Sequence, residues 1–131
     1  MVGFVHVKGI RWVGVGTGDV AAMRAFATDV LGLRAVAEQE DFVELAMADG
    51  SKLELFGPAA VVDTPWMFTA NPVVAGFVVD DLEAARAELE EAPGVELLGE
   101  ASIMPDGYGW QPFRAPDGRV YELVADPSAP A

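Results

Sequence analysis

The sequence predicts an α+β fold of two tandem βαβββ modules, and two observations carry that prediction. The first is a repeated stretch. Asp49-Gly50-Ser51-Lys52-Leu53-Glu54-Leu55 returns as Asp117-Gly118-Arg119-Val120-Tyr121-Glu122-Leu123, sixty-eight positions later. Each copy reads as an Asp-Gly hairpin turn leading into a short strand with one carboxylate in its middle. Asp-Gly suits the positive-φ positions of a tight turn, and alternate strand residues take opposite sheet faces. The second observation is that the segment ahead of each copy repeats at a spacing of sixty-two: Gly14 with Gly76, Asp19 with Asp81, Ala22 with Ala84, Arg24 with Arg86, Ala25 with Ala87, Gly32 with Gly94. Six extra residues in the second half reconcile the two spacings, and the hairpin around Pro105-Asp106-Gly107 is where they are expected. Each unit, at about sixty residues, is then one supersecondary module that buries its apolar face against a copy. The modules are expected at about 10–57 and 73–125 of a single domain, with a linker at 58–72.

Taken in order, residues 1–9 read as a loosely held lead-in containing His6, the only histidine, which carries no site. Ile10 to Thr17 alternates and predicts a strand, with Val13 and Val15 on one face and Trp12, Gly14 and Gly16 on the other. Asp19 caps a helix to about Leu31, marked by Val20, Met23, Phe26 and Val30 at helical spacing, and Gly32 closes it. Strands follow near 34–38, 41–47 and 52–56. In the linker, Pro58, Pro65 and Pro72 deny a regular ladder, and Trp66-Met67-Phe68 is either a plug for a core or interface or a ligand lid. The second half restates the order. Val73 to Val79 is a strand, Asp80-Asp81 caps a helix buried along Leu82, Ala85 and Leu89, and Pro93-Gly94 ends it. Strands are expected near 95–103, 108–114 and 119–124, and the Ala/Pro/Ser tail reads as a frayed end.

Composition narrows the function classes. A formal net charge of −13 repels phosphate backbones and anionic membranes, so neither nucleic acid nor a membrane is an expected partner. The same charge serves solubility or attracts a cationic small molecule. No cysteine is present, which removes disulfide and thiolate chemistry and fits a cytoplasmic protein. The longest strongly apolar run, Val73 to Val79, is too short to span a bilayer, and the N-terminus has no signal-peptide pattern.

The motifs Asp19…Phe26…Leu31-Gly32-Leu33, Asp49-Gly50…Leu53-Glu54-Leu55, Asp80-Asp81-Leu82 and Pro116-Asp117-Gly118…Tyr121-Glu122-Leu123 resemble the vicinal oxygen chelate superfamily. That superfamily includes glyoxalase I, extradiol dioxygenases, fosfomycin-resistance enzymes and bleomycin-resistance binding proteins, and the likeness spans residues 10–125. In its metal-dependent members, each module supplies one ligand from its first strand and one from its last. Carried over by the motifs, those positions are Trp12, Glu54, Val74 and Glu122, where the family usually has His or Gln at the first and His at the third. An indole N–H only donates and valine offers no donor atom, so the expectation is no transition metal and no cofactor; a weak Mg or Ca site completed by water stays open.

Glu54 and Glu122 read either as solvated strand residues, paired with Lys52, Arg114 or Arg119, or as polar anchors in a pocket. Trp12 reads either as core or as an aromatic wall replacing a ligand. Tyr108, Trp110 and Phe113 are expected as the opposite wall, with Trp66 and Phe68 closing the cleft or a dimer contact. The preferred function is metal-free binding of an aromatic or cationic small molecule, as in the bleomycin-resistance members. The alternative is a glyoxalase-, isomerase- or lyase-type enzyme with Glu54 or Glu122 as general base. The resemblance further implies curved mixed sheets forming a cleft, and a homodimer.

Overall fold

The structure, a computed structural model, describes residues 5–60 and 73–128. The chain divides into two compact units, Trp12–Val74 and a second made of the segment up to Arg11 together with Ala75–Ala131. The division falls inside the first strand and again inside the fifth.

The first unit takes in β1 (Gly9–Gly16) from Trp12 onward, α1 (Val20–Asp29), β2 (Arg34–Gln39), β3 (Phe42–Ala46) and β4 (Lys52–Phe56). Its strand order is β2-β3-β4-β1, parallel only between β1 and β4, so the sheet is mixed as expected. The Asp19 carboxylate caps α1 by accepting from the Ala22 N–H at 2.9 Å. At the other end the N–H groups of Leu31 and Leu33 return to the carbonyls of Phe26 and Ala27, with Gly32 at φ 72° making the turn. The buried stripe of α1 centres on Ala27, whose small side chain lets the helix sit close on Val43, Leu45 and Leu55. Val20 and Met23 pack against that core as expected. Phe26 and Val30, expected on the same face, are 45% and 69% exposed, because a stripe centred on Ala27 turns its neighbours outward.

The second unit repeats the plan with β5 (Val73–Val78) from Ala75 onward, α2 (Leu82–Glu91), β6 (Glu96–Leu97), β7 (Ser102–Ile103), β8 (Gly109–Arg114) and β9 (Val120–Ala125). Its order is β5-β9-β8-β6, again with one parallel pair, and β7 lies beside β8. Asp81 caps α2 through the Ala84 N–H at 3.0 Å, and Leu82, Ala85 and Leu89 pack on Phe113 and Leu123. Asp80 turns to the start of the chain instead. Its carboxylate accepts from Lys8 Nζ at 2.7 Å, while the Lys8 N–H bonds the Val78 carbonyl at 2.9 Å. Arg11 reaches Asp126 in a further ion pair. The described part of the expected loose lead-in is therefore tied to its unit at Lys8 by a charge pair and a backbone bond, and the Arg11 pair in β1 adds a second tie just after it.

The single strand expected at 95–103 is broken into β6 and β7. Gly99 takes φ 77° between them, and the break faces Pro112, which has no N–H to give a ladder. Three Asp-Gly turns share one design. Asp49, Asp106 and Asp117 each accept from the N–H two residues on at 2.9 Å, and the following glycines sit at φ 87°, 93° and 83°. Burial and the adjacent Asp117 carboxylate push the Tyr121 hydroxyl above its ordinary range.

Candidate functional site

Strand alternation sorts the candidate residues before any chemistry is considered. In the first unit Val15, Leu53 and Leu55 face α1, so Trp12, Gly14, Glu54 and Phe56 take the other face. Register places Gly14 beside Glu54 on one side and Glu44 beside it on the other. Phe42 and Phe56 stand opposite each other, with ring centroids 4.9 Å apart. This face thus carries a row of two carboxylates flanked by an aromatic pair and by the buried Trp12 indole. Lys52, on the same face, sends Nζ to the Gly50 carbonyl at 3.4 Å. Glu44 is absent from the sequence-derived candidates, although its signal was present: Val43 and Leu45 are core, so the residue between them must share the Glu54 face.

In the second unit Phe77, Phe113, Tyr121 and Leu123 pack with α2, and Gly76, Pro112 and Glu122 lie in one row on the opposite face. Glu122 is 7% exposed, between the buried Val120 and Val124. Trp110 stands opposite Val124 and so diagonal to Glu122 on that same face. The Tyr108 ring lies 5.9 Å from the Trp110 ring at 52°. Trp110 is therefore in contact with the Tyr108 ring and lies diagonal to Glu122 on one face. Phe113 is in the core under α2, on the face opposite to Glu122. Arg114 is engaged elsewhere, by Glu96 at 3.4 Å and by the Gly118 carbonyl at 3.0 Å. Trp66 and Phe68 lie outside the described residues.

Gln111, which sequence reading passed over, is fully buried. Its amide Nε2 donates to the Gly99 and Pro112 carbonyls at 3.1 and 2.8 Å, and its Oε1 accepts from Arg86 Nε at 2.9 Å. The signal that could have found it is its parity with Phe113: a polar residue in a core register needs dedicated partners.

The donor chemistry does not fit a transition metal. Val74 is fully buried and offers no donor, Trp12 offers only an N–H, and among the described residues no group of three or more His, Cys, Asp or Glu could hold a metal ion. Nor, among the described residues, is any helix long and apolar enough to cross a membrane.

Residues 9–123 match the family model for the Glyoxalase/Bleomycin resistance protein/Dioxygenase superfamily. The chain belongs to that superfamily. Superfamily structures share the fold: methylmalonyl-CoA epimerase from Mycobacterium tuberculosis superposes with TM-score 0.71 at 22% identity, covering 99% of this chain and 94% of its own. The Mn(II)-bound glyoxalase from Novosphingobium aromaticivorans gives 0.72 at 28% identity, covering 94% of this chain but 40% of its own. A superfamily member from Vibrio splendidus gives 0.66 at 22% identity, covering 89% and 99%. Comparison with curated proteins finds no match. The resemblance read from the motifs and the α+β reading hold. The superfamily contains enzymes and binding proteins, so its chemistry must be argued from the side chains.

Proposed function

We propose that this superfamily member binds an aromatic or cationic small molecule without a transition metal, in the manner of the bleomycin-resistance proteins. The observation that carries the reading is the donor set: Trp12 and Val74 stand at two of the four positions where metal-dependent members place ligands. The remaining polar anchors, Glu54 and Glu122, are carboxylates beside aromatic groups, a combination that suits an organic cation against an indole or phenol face. A polyphosphate-bearing ligand such as a CoA thioester is disfavoured. The chain carries a net charge of −13, and Lys8, Arg11, Arg24 and Arg114 are each committed to carboxylates. The likeness to methylmalonyl-CoA epimerases at 22% identity or below therefore supports the fold and not the substrate.

The burial of Glu122 favours one second reading, a lyase or isomerase in which this carboxylate is the general base. From the resemblance we also expect a homodimer, and from the cysteine-free composition a cytoplasmic protein. Thermal-shift and tryptophan-quenching titrations of metal-stripped protein test the main reading, with benzyltrimethylammonium, a neutral aromatic and methylmalonyl-CoA as probes. The cation is expected to bind equally with and without EDTA, and Trp110→Ala to abolish its response. Stoichiometric Zn, Ni, Mn or Fe in the purified protein, or binding that returns only with metal, ends it. Solvent-proton exchange into a bound carbon acid, lost in Glu122→Gln while binding is kept, would install the second reading instead.

A further inference from the structure

The two units place equivalent arginines on their helices, and in the second unit that arginine is joined to the strand that carries Trp110. Arg86 on α2 donates Nε to Gln111 Oε1 at 2.9 Å, which fixes the amide so that its NH2 points the other way. That NH2 holds the Gly99 carbonyl at 3.1 Å, in the break between β6 and β7. Just beyond the break, Ser102 is the cross-strand partner of Trp110 and Ile103 that of Gly109. Beyond β7 the hairpin is tight: the Met104 N–H bonds the Tyr108 carbonyl at 2.7 Å, and Gly107 returns to Met104 at 2.9 Å. Gly109 is closely packed: a Cβ there would lie 3.1 Å from both Leu82 and the Ser102 carbonyl, so a side chain would force its neighbours to give by a few tenths of an ångström. The aromatic pair Tyr108 and Trp110 therefore stands on the hairpin that follows the Gly99 break, where Gln111 holds the Gly99 carbonyl. Gln111 itself sits next to Trp110 in the chain and points to the opposite face.

We propose that Arg86 and Gln111 are positioning residues for the Trp110 wall, acting through the Gly99 carbonyl and the β7 strand. This rests on the reading of Tyr108 and Trp110 as ligand-contacting residues. Neither Arg86 nor Gln111 touches the ligand. Their effect is on the pose of the indole and hence on which flat ring it accepts.

The test uses a Trp12→Phe, Trp66→Phe background, in which Trp110 is the only remaining indole of the three. Near-ultraviolet circular dichroism and acrylamide quenching report the Tyr108–Trp110 pair well below the unfolding midpoint. Gln111→Leu is expected to lose the near-ultraviolet band and to leave the indole more readily quenched, with far-ultraviolet helix and strand signals kept. Arg86→Lys, which keeps a donor, is expected to restore the band relative to Arg86→Leu. If Gln111→Leu does not fold, Gln111→Glu serves: it keeps the size and the Arg86 partner but removes both amide donations. A folded Gln111 variant with unchanged band and quenching overturns the proposal. The underlying reading fails separately, through a Trp110→Phe protein that binds benzyltrimethylammonium unchanged, and that outcome leaves the indole signature of the Gln111 variants to stand or fall by itself.

Discussion

Arg24 and Arg86 occupy the same place in the two repeats, sixty-two positions apart, yet they do different work. Arg24 donates Nε to Glu38, and both side chains are open to water at 40% and 51% exposure. Arg86 donates the same atom to a fully buried glutamine. The position equivalent to Gln111 in the first unit is Val43, a core residue 4% exposed and packed with Ala27, Leu45 and Leu55. One repeat thus filled a core position with a methyl pair and left its arginine on the surface. The other filled it with an amide, drew the arginine inward, and used the amide to pin a broken edge strand. Most of the six additional residues lengthen the hairpin into β8: Gln39 pairs with Phe42 across a short link, whereas Ser102, its counterpart in register, pairs with Trp110 across the longer turn around Pro105-Asp106-Gly107. The two units thus differ at a buried polar group, which fixes backbone that the apolar core leaves undetermined.

Copying the first repeat into the second is the largest disruption. Gln111→Val leaves the Gly99 carbonyl and the Arg86 guanidinium without their partners, and unsatisfied buried groups of this kind cost about 2–4 kcal/mol in total. Urea unfolding should show that loss with an unchanged m-value; a loss near zero would mean that water replaces the amide at no cost. The reverse copy, Val43→Gln, puts an amide among Leu45, Leu55 and Ala27 with Glu38, not a donor, taking up Arg24. Its expected cost is about 1–3 kcal/mol, read from the same denaturation curves.

The comparison also shows what the sequence could convey. Caps at Asp19 and Asp81, Asp-Gly turns and the alternation that puts Glu54 and Glu122 away from the helices are local rules, and each was legible. The break at Gly99 was not, because it depends on a different strand: Pro112 offers no ladder N–H there, and the Gln111 amide takes the Gly99 carbonyl instead. Phe26 looks buried by periodicity alone, but the position of the stripe depends on which residue the sheet lets closest, here Ala27. Phe113 was readable in principle: its register partner Tyr121 alternates onto the Leu123 face. The tie from Lys8 and Arg11 to Asp80 and Asp126 joins residues far apart in the chain, and no short-range pattern encodes it.

A middle-sized effect is expected at that tie. The Asp126 side chain is 5% exposed, and its carboxylate accepts from Arg11 and from the Ser128 N–H and hydroxyl. Desolvation alone would raise its pKa, but the bonds from Ser128 and Arg11 outweigh it and hold the group below its ordinary value. A carboxyl depressed in the folded state adds stability above its unfolded pKa of about 3.9 and loses it as pH falls toward the folded value. Asp126→Asn should therefore cost about 1–2 kcal/mol at neutral pH and flatten the acid limb of the stability curve. Equal acid sensitivity in both proteins would remove Asp126 from that limb.

The smallest effect belongs to the exposed member of the opening pair. Arg24 lowers the Glu38 carboxyl below its ordinary value, first through the hydrogen bond and then by charge, so the sign is the same as for Asp126: support is present at neutral pH and fades on acidification. Water surrounds both side chains, however, and solvent screening leaves exposed pairs of this kind with little net worth. Glu38→Gln should leave the unfolding midpoint within error at physiological salt and shift it only slightly at low ionic strength. A Glu38→Gln loss as large as that of Gln111→Val would break the comparison. It would mean that the surface arginine, like its buried counterpart, fixes an edge strand, and that the bulge between Ala35 and Ala37 depends on it.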